Sequence, residues 1–382
     1  MTCRLRAVIR PAHVALLAAL AACGSESDPL SEADAGPGAD APADAAVDGI
    51  APPEIYPDAA APGDGDTAVD IAATTTAMFR IDVEPDQHVG VHLTFAPQPG
   101  VVMAVERWDG MAPTTIGQTD AGIGRRVLAV RDAEVRRTYW VRVTAGPAPL
   151  VGTLAVTRTA FEDGTACASD CARLLQLPLA NDPAHDGYAT DASTVFRYWF
   201  GRRDLVMFVR AAGRAQATAG RQPFVPQDLS QWDGATPGAD VGAPRHASHQ
   251  RGKDVDLSVY GTDGLAPWRS YCTTTTTSGG RECVAGSARD FGGQATAIAL
   301  STMFATGRVT MSFLDRELID QLVPGAEAAA AGGALAPSLV PLYGDGQHVQ
   351  HWPNHDNHIH IRVSEDTAAR PAPGAVAPFE AP

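Results

Sequence analysis

Between residues 67 and 160, apolar positions fall on every second residue. Phe79, Ile81 and Val83 alternate with polar neighbours, as do Val89, Val91, Leu93 and Phe95. The same beat returns at Val101, Met103 and Val105, at Tyr139, Val141 and Val143, and at Leu154 and Val156. A period of two places one set on a single face of a strand. Pro85-Asp86, Pro97-Gln98-Pro99-Gly100 and Asp109-Gly110 punctuate the runs as turns. Short strands at this spacing predict a small all-β sandwich over 67–160. Beyond it the period changes. Leu205, Phe208, Val209 and Ala212 share a helical face, with Asp204 as the expected N-cap. Ala297, Leu300, Ser301 and Phe304 predict a second helix, stopped by Gly307. Val309 to Leu314 reads as a strand, Arg316 to Leu322 as a short helix and His358 to Val363 as the final strand. Strands mixed with helices predict an α+β domain over 161–368, long enough to bury its own core. Residues 369–382, rich in Pro and Ala, are expected to form a flexible tail.

The ends change the picture. Arg4, Arg6 and Arg10 precede a short apolar run, Val14 to Leu20, which is too short to span a bilayer. Leu20-Ala21-Ala22-Cys23 resembles a bacterial lipobox. That resemblance implies a signal peptide over 1–22, a lipidated Cys23, and an exported protein held to a membrane by lipid. Gly24, where similar signals place aspartate for inner-membrane retention, tilts the expectation toward the outer membrane. Residues 24–66 carry eleven acidic residues and no Lys or Arg. Such composition buries too little apolar surface to repay ordering, so 23–66 is expected to be a disordered, self-repelling tether. Most of the net charge of −15 lies there. The remainder lacks the basic patch that nucleic acid requires.

Four cysteines remain after Cys3 and Cys23 are set aside: Cys167, Cys171, Cys272 and Cys283. An even number in an exported chain points to disulfides. Three connectivities are possible; Cys167–Cys171 with Cys272–Cys283 has the shortest loops and is preferred. No Cys-x-x-Cys pair is present to suggest a thiolate zinc site.

Two histidine clusters carry the candidate chemistry. One reads His246-Ala-Ser-His249-Gln-Arg-Gly-Lys-Asp254-Val-Asp256; the other reads His355-Asp-Asn-His358-Ile-His360-Ile-Arg362. On a final strand, Ile359, Ile361 and Val363 take the core face, which leaves His358, His360 and Arg362 together on the other. Val255 and Leu257 alternate with Asp254 and Asp256 in the same way. A loop through Gly252 could return His249 to Asp256. Each piece alone is weak, since a lone His-x-His is usually a surface or core pair. Together they supply two imidazoles and a carboxylate, the donor set of an open catalytic zinc site.

At these residues the chain resembles the penicillin-insensitive murein endopeptidases, a family related to lysostaphin-type enzymes, D-Ala-D-Ala peptidases and the hedgehog fold. The likeness lies in Pro244 to Asp256 and Trp352 to Arg362, with Phe224-Val-Pro-Gln-Asp228-Leu-Ser230 similar to a segment before the first signature. The insert Thr273 to Arg281 has no counterpart. The resemblance implies an α+β zinc metallopeptidase domain with a central antiparallel sheet. It implies His249, Asp256 and His360 as Zn2+ ligands, His358 as the catalytic imidazole and His355 as a second catalytic acid or base. His246 either supports the site, touches a second metal, or merely bonds a loop. Arg362 either binds a substrate carboxylate or pairs with an acid; Asp254 either caps or bonds its loop. His348 and His351 are expected in a solvated turn. The implied activity is zinc-dependent endopeptidase cleavage of peptidoglycan cross-links, of the D-alanyl–diaminopimelate type, by metal-activated water. A D,D-carboxypeptidase and a non-catalytic muropeptide-binding lipoprotein are the alternatives. The β module is similar, in pattern only, to pre-peptidase C-terminal modules and is expected to be a spacer or docking unit, or to bind carbohydrate or wall.

Overall fold

The computed structural model describes residues 55–85, 87–119, 124–132, 135–160, 167, 169–180 and 182–364. The signal peptide 1–22, Cys3, the lipidation site Cys23, most of the acidic tether and the tail 369–382 lie outside the described residues. Sheets predominate, several of them antiparallel, with few helices.

The first eight strands are β1 (Gly65–Ile71), β2 (Thr76–Val83), β3 (Gln87–Phe95), β4 (Val102–Trp108), β5 (Pro113–Gln118), β6 (Arg125–Asp132), β7 (Arg137–Thr144) and β8 (Leu150–Ala160). They form two four-stranded sheets, β1-β8-β3-β6 and β2-β7-β4-β5, with every pairing antiparallel. The alternating residues meet as expected: Ile81, Val83, Val91, Leu93, Met103 and Val141 are at most 1 % exposed. Three strands escaped the pattern. β1 begins inside the stretch expected to be tether. That expectation is also corrected at Tyr56, whose hydroxyl donates to Glu106 (2.9 Å) while its ring meets Trp140 edge-on. β5 is an exposed edge strand with no apolar beat. β6 carries Val127-Leu128-Ala129-Val130, all buried, because both its faces are covered. Leu128 and Val130 join the large core, and Val127 packs with Phe200 and Trp232. Burial on two faces erases alternation.

The next elements are β9 (Leu174–Gln176), the single turn α1 (Pro183–Asp186), β10 (Phe200–Arg202) and α2 (Arg203–Thr218). Contrary to the sequence expectation, Asp204 does not cap α2. The helix starts at Arg203, and the Asp204 carboxylate, one position inside, is held by Arg202 (3.1 and 3.2 Å) and Arg308 (2.7 Å). Then come β11 (Asp254–Ser258), β12 (Thr274–Thr277), β13 (Gly280–Cys283), α3 (Gly293–Ala305), β14 (Val309–Leu314), α4 (Arg316–Ala331), β15 (Val349–His351) and β16 (His358–Val363). The sheet that carries the histidines runs β11-β16-β14-β15. It is antiparallel except for a parallel β14–β15 pair, so the central antiparallel sheet carries one parallel edge strand. Parallel pairing follows from connectivity: α4 intervenes between the two strands and carries the chain back.

Leu257 and Ile359 on this sheet share an apolar space with Leu300 and Met303 of α3. α4 extends beyond the predicted Leu322 despite Pro324, because the alanines from Ala326 onward favour helix. Gly325 lets α3 approach closely: a Cβ there would lie 2.4 Å from the Gln294 nitrogen. The disulfides are Cys167–Cys171 and Cys272–Cys283, the short-loop pairing. Among the described residues, no helix is long and apolar enough to cross a membrane.

Candidate metal centre

The site begins with a register. β11 pairs with β16 so that Asp256 stands opposite His360, Asp254 opposite Arg362 and Ser258 opposite His358. His249 arrives from the loop before β11. That loop contains three left-handed residues, His249 (φ 59°), Arg251 (φ 60°) and Gly252 (φ 64°). At Gly252 a side chain is forbidden by space as well as by φ, since a Cβ would lie 2.6 Å from the Arg202 nitrogen. His249 itself has no such freedom, and a bulky residue at positive φ marks a conformation imposed by its surroundings.

Three ligand-type atoms meet in the interior. His360 Nδ1 lies 2.9 Å from His249 Nε2 and 3.1 Å from Asp256 Oδ1, and His249 Nε2 lies 3.2 Å from the same oxygen. All three residues are at most 2 % exposed. The opposite edge of each imidazole is engaged. His249 Nδ1–H donates to the Leu229 carbonyl (3.0 Å), and His360 Nε2–H donates to Asp254 Oδ1 (3.0 Å). Both inward nitrogens therefore hold lone pairs in the neutral rings, an arrangement that fixes tautomer and aim for metal ligation. Two lone pairs cannot sit 2.9 Å apart unless a proton or a cation lies between them. Tetrahedral donors at about 2.0–2.1 Å from zinc stand roughly 3.3 Å from one another, so the spacing fits a small divalent ion.

The electrostatics agree. Burial alone would lower His360, but its hydrogen bonds to Asp254 and Asp256, and their charges, outweigh burial and raise it to about 9. Burial would raise both carboxyls. His249 and His358 nonetheless hold Asp256 well below the usual carboxylate range, and His360 with Arg362 brings Asp254 down to about 2. Two buried carboxylates thus stand among imidazoles, balanced by the charge on His360 and Arg362.

His246 sits at its margin. Its Nε2 is 2.8 Å from Asp228 Oδ2 and 3.9 Å from Asp256 Oδ2, and its ring lies against His249. His246, His249 and Asp256 each bring a ligand atom to within 4.8 Å of the others. His358 points Nε2 toward Asp256 Oδ1 at 3.7 Å, with Nδ1 bonded to Asn357 Oδ1 (2.7 Å) and Trp268 stacked on its face. Burial pushes His358 down to about 3, against the pull of Asp256. His355 donates Nδ1–H to the Pro353 carbonyl (2.7 Å), its ring centre 4.7 Å from that of His358. Burial lowers it too. Phe313 touches the rings of His355 and His360, and Trp352, 54 % exposed, leans on Phe313.

His249, Asp256, His360, His358, His355 and His246 thus converge. Arg362 turns to Asp254 through two hydrogen bonds (2.6 and 3.1 Å), the acid-pairing alternative. His348 bonds Asp345 and His351 accepts from the Arg316 amide, both away from the cluster. Sequence reasoning missed the supporting roles of Asp254, Asp228 and the Leu229 carbonyl, and the aromatic walls Trp268 and Phe313. Only Asp254 left a signal, because strand alternation puts it on the face of Asp256.

No family model matches the chain, and no curated protein matches it. Among solved structures, the chain is similar to the pre-peptidase C-terminal domain of a collagenase from Bacillus anthracis. The identity is 12 %, covering 26 % of this chain and 94 % of that one, with a TM-score of 0.21. It is also similar to PliG from Aeromonas hydrophila, a periplasmic inhibitor of g-type lysozyme. There the identity is 16 %, with 26 % and 96 % covered and a TM-score of 0.21. Likenesses at these values carry no argument about function.

Proposed function

We propose that the chain is a zinc-dependent peptidoglycan endopeptidase, an exported lipoprotein whose α+β C-terminal domain hydrolyses peptide cross-links of the D-alanyl–diaminopimelate type. The observation that carries this reading is the meeting of His249 Nε2, Asp256 Oδ1 and His360 Nδ1 within 3.2 Å, beside two further imidazoles. A divalent ion held by these three would polarise the scissile carbonyl and make water a nucleophile at neutral pH. The residues of the chain supply the rest. His358, neutral and buried beside Asp256, can take a proton from the attacking water at Nε2 and return one to the departing amine. When protonated, it offers an N–H donor to charge developing on the carbonyl oxygen. His355, anchored through Nδ1, is the second proton carrier. Trp268 shields the His358 face from solvent, and Trp352 presents an aromatic surface to an arriving substrate. Two disulfides support an oxidising compartment.

Digestion of purified muropeptides, paired with metal analysis of the protein, tests the reading. Loss of cross-linked dimers is expected. Loss of terminal D-alanine alone would replace it with a D,D-carboxypeptidase. Unchanged muropeptides with retained binding would replace it with a binding lipoprotein.

A further inference from the structure

The insert Thr273 to Arg281 finds its use next to the histidines. β12 and β13 form a two-stranded hairpin whose base is closed by Cys272–Cys283. Its second strand lies along the turn that leads into β16. The Arg281 amide donates to Asn354 Oδ1 (2.8 Å), and the Asn354 amide donates back to the Arg281 carbonyl (2.6 Å). Asn354 has a left-handed backbone, φ 66°. Gly280 meets it so closely that a Cβ would fall 2.5 Å from its side-chain nitrogen. The Arg281 guanidinium then reaches Asp356 Oδ1, with Nε at 2.9 Å and Nη2 at 2.7 Å.

Asp356 is wholly buried, and Arg281 is its one cationic partner among the described residues. The Arg281 side chain is 47 % exposed, so the strength of the tie lies on the carboxylate side: removing the guanidinium would leave the buried Asp356 without its cation, which is strongly unfavourable. The base of the hairpin adds two more ties. The Tyr271 amide donates to the Asp356 carbonyl (3.1 Å), and the Cys283 amide donates to Asp315 Oδ2 (2.9 Å). Asp315 in turn donates its own amide to the His355 carbonyl (3.0 Å). The hairpin therefore holds the residues on both sides of His355 and, through Asp315, His355 itself. None of these contacts touches His249, Asp256 or His360.

We propose that Arg281, carried on the disulfide-closed hairpin, is a positioning residue for the proposed hydrolysis. It fixes the backbone that aims His355 and His358 at the metal site. The proposal rests on the peptidase reading. Supporting partners of this kind typically change activity by about 10- to 100-fold when removed, and the loss should fall on kcat, with KM and bound metal little changed.

The test compares wild type, Arg281→Ala, Arg281→Lys and the double variant Cys272→Ser/Cys283→Ser, each loaded with zinc. Histidine-ring nitrogen spectra read the geometry without reference to activity. Arg281→Ala should shift and broaden the His355 and His358 signals and leave those of His249 and His360 in place. On muropeptides its kcat should fall at least 10-fold at full metal content, with Arg281→Lys intermediate and added guanidinium restoring part of the rate. The double cysteine variant should move the same two rings in the same direction. Unchanged His355 and His358 signals in Arg281→Ala would overturn the proposal, as would a wild-type kcat. So would a rate loss matched by an equal loss of metal. If wild type itself leaves muropeptides intact, the peptidase reading fails, while the ring spectra still decide whether Arg281 positions His355 and His358.

Discussion

Asp256 and His360 stand directly opposite one another across the β11–β16 pair, and His360 Nδ1 comes within 3.1 Å of Asp256 Oδ1. Strand pairing alone supplies that proximity. His249 then needs only a short loop to complete the trio. The site is built on a hydrogen-bonded sheet packed against α3. Side chains held this way give donor positions that change little when a ligand enters.

The ligands and the proton carriers should separate by mutation. His360→Ala removes one of three donors and should reduce zinc affinity by more than the roughly 10- to 100-fold expected for loss of a supporting partner, and activity with it. His358→Ala leaves the trio intact. It should retain close to one zinc per chain while activity falls by about 10²–10⁴, the usual contribution of a positioned acid–base group. Metal analysis and muropeptide turnover on the same samples decide this. Normal turnover in both variants would refute the site.

Asp254 lies behind His360, on the side away from Asp256 and His249. It accepts the Nε2–H of His360 and is itself bound by Arg362. Asp254→Ala should weaken zinc binding by about 10- to 100-fold without abolishing it at saturating zinc. Competition with a chromophoric chelator measures the change. Affinity equal to wild type would show that this hydrogen bond does not orient the ring.

Zinc binding should depend steeply on pH. In the metal-free protein His360 holds its proton up to about pH 9, and a ligand imidazole must be neutral. Below that value each unit of falling pH costs about tenfold in apparent affinity for one displaced proton. Above it the dependence should flatten. Zinc titrations between pH 6 and pH 9.5 read the slope directly. A flat profile over the range would mean that no proton leaves the site on binding.

Much of the site was legible because its parts lie on strands. Alternation in Asp254-Val255-Asp256-Leu257 and His358-Ile359-His360-Ile361 foretold which side chains would share a face. It did not foretell that Arg362 would answer Asp254, because register is a property of two strands and neither carries it alone. The sandwich was legible where large apolar residues alternate with polar or small ones, as at Val89, Val91, Leu93 and Phe95 of β3, and not at β1, where only Val69 and Ile71 carry the beat. It was illegible at β6, where Val127 to Val130 are buried on both sides, and at β5, which has no buried face to mark. α4 outran its prediction because Pro324 reads as a stop in a helix that packing and alanines sustain. The Thr-rich hairpin has no periodic signal, and its role depends on Asn354 and Asp356, more than seventy residues away.

The last expectation concerns the β module and needs no metal. His88 and His92 on β3 are 2 % and 4 % exposed. His88 donates Nε2–H to the Gln176 carbonyl (2.8 Å). Burial, aided for each ring by nearby arginine charge, lowers His88 to about 4 and His92 to about 3. In the unfolded chain both titrate near 6.5. Below pH 6.5 the unfolded state therefore binds protons that the folded state refuses, so stability falls as pH drops from 6.5 toward 4. Each fully shifted histidine contributes a slope of about 1.4 kcal/mol per pH unit, which amounts to roughly 3 kcal/mol for His88 by pH 4. Carboxylates begin to add to the loss only nearer pH 4, so the upper part of the window belongs to histidine. Urea unfolding of zinc-free protein at pH 7, 6 and 5 should show this decline, and His92→Gln should flatten it by about one proton. An unfolding free energy that stays constant from pH 7 to pH 5 would mean that these rings are protonated in the folded state, in conflict with their burial.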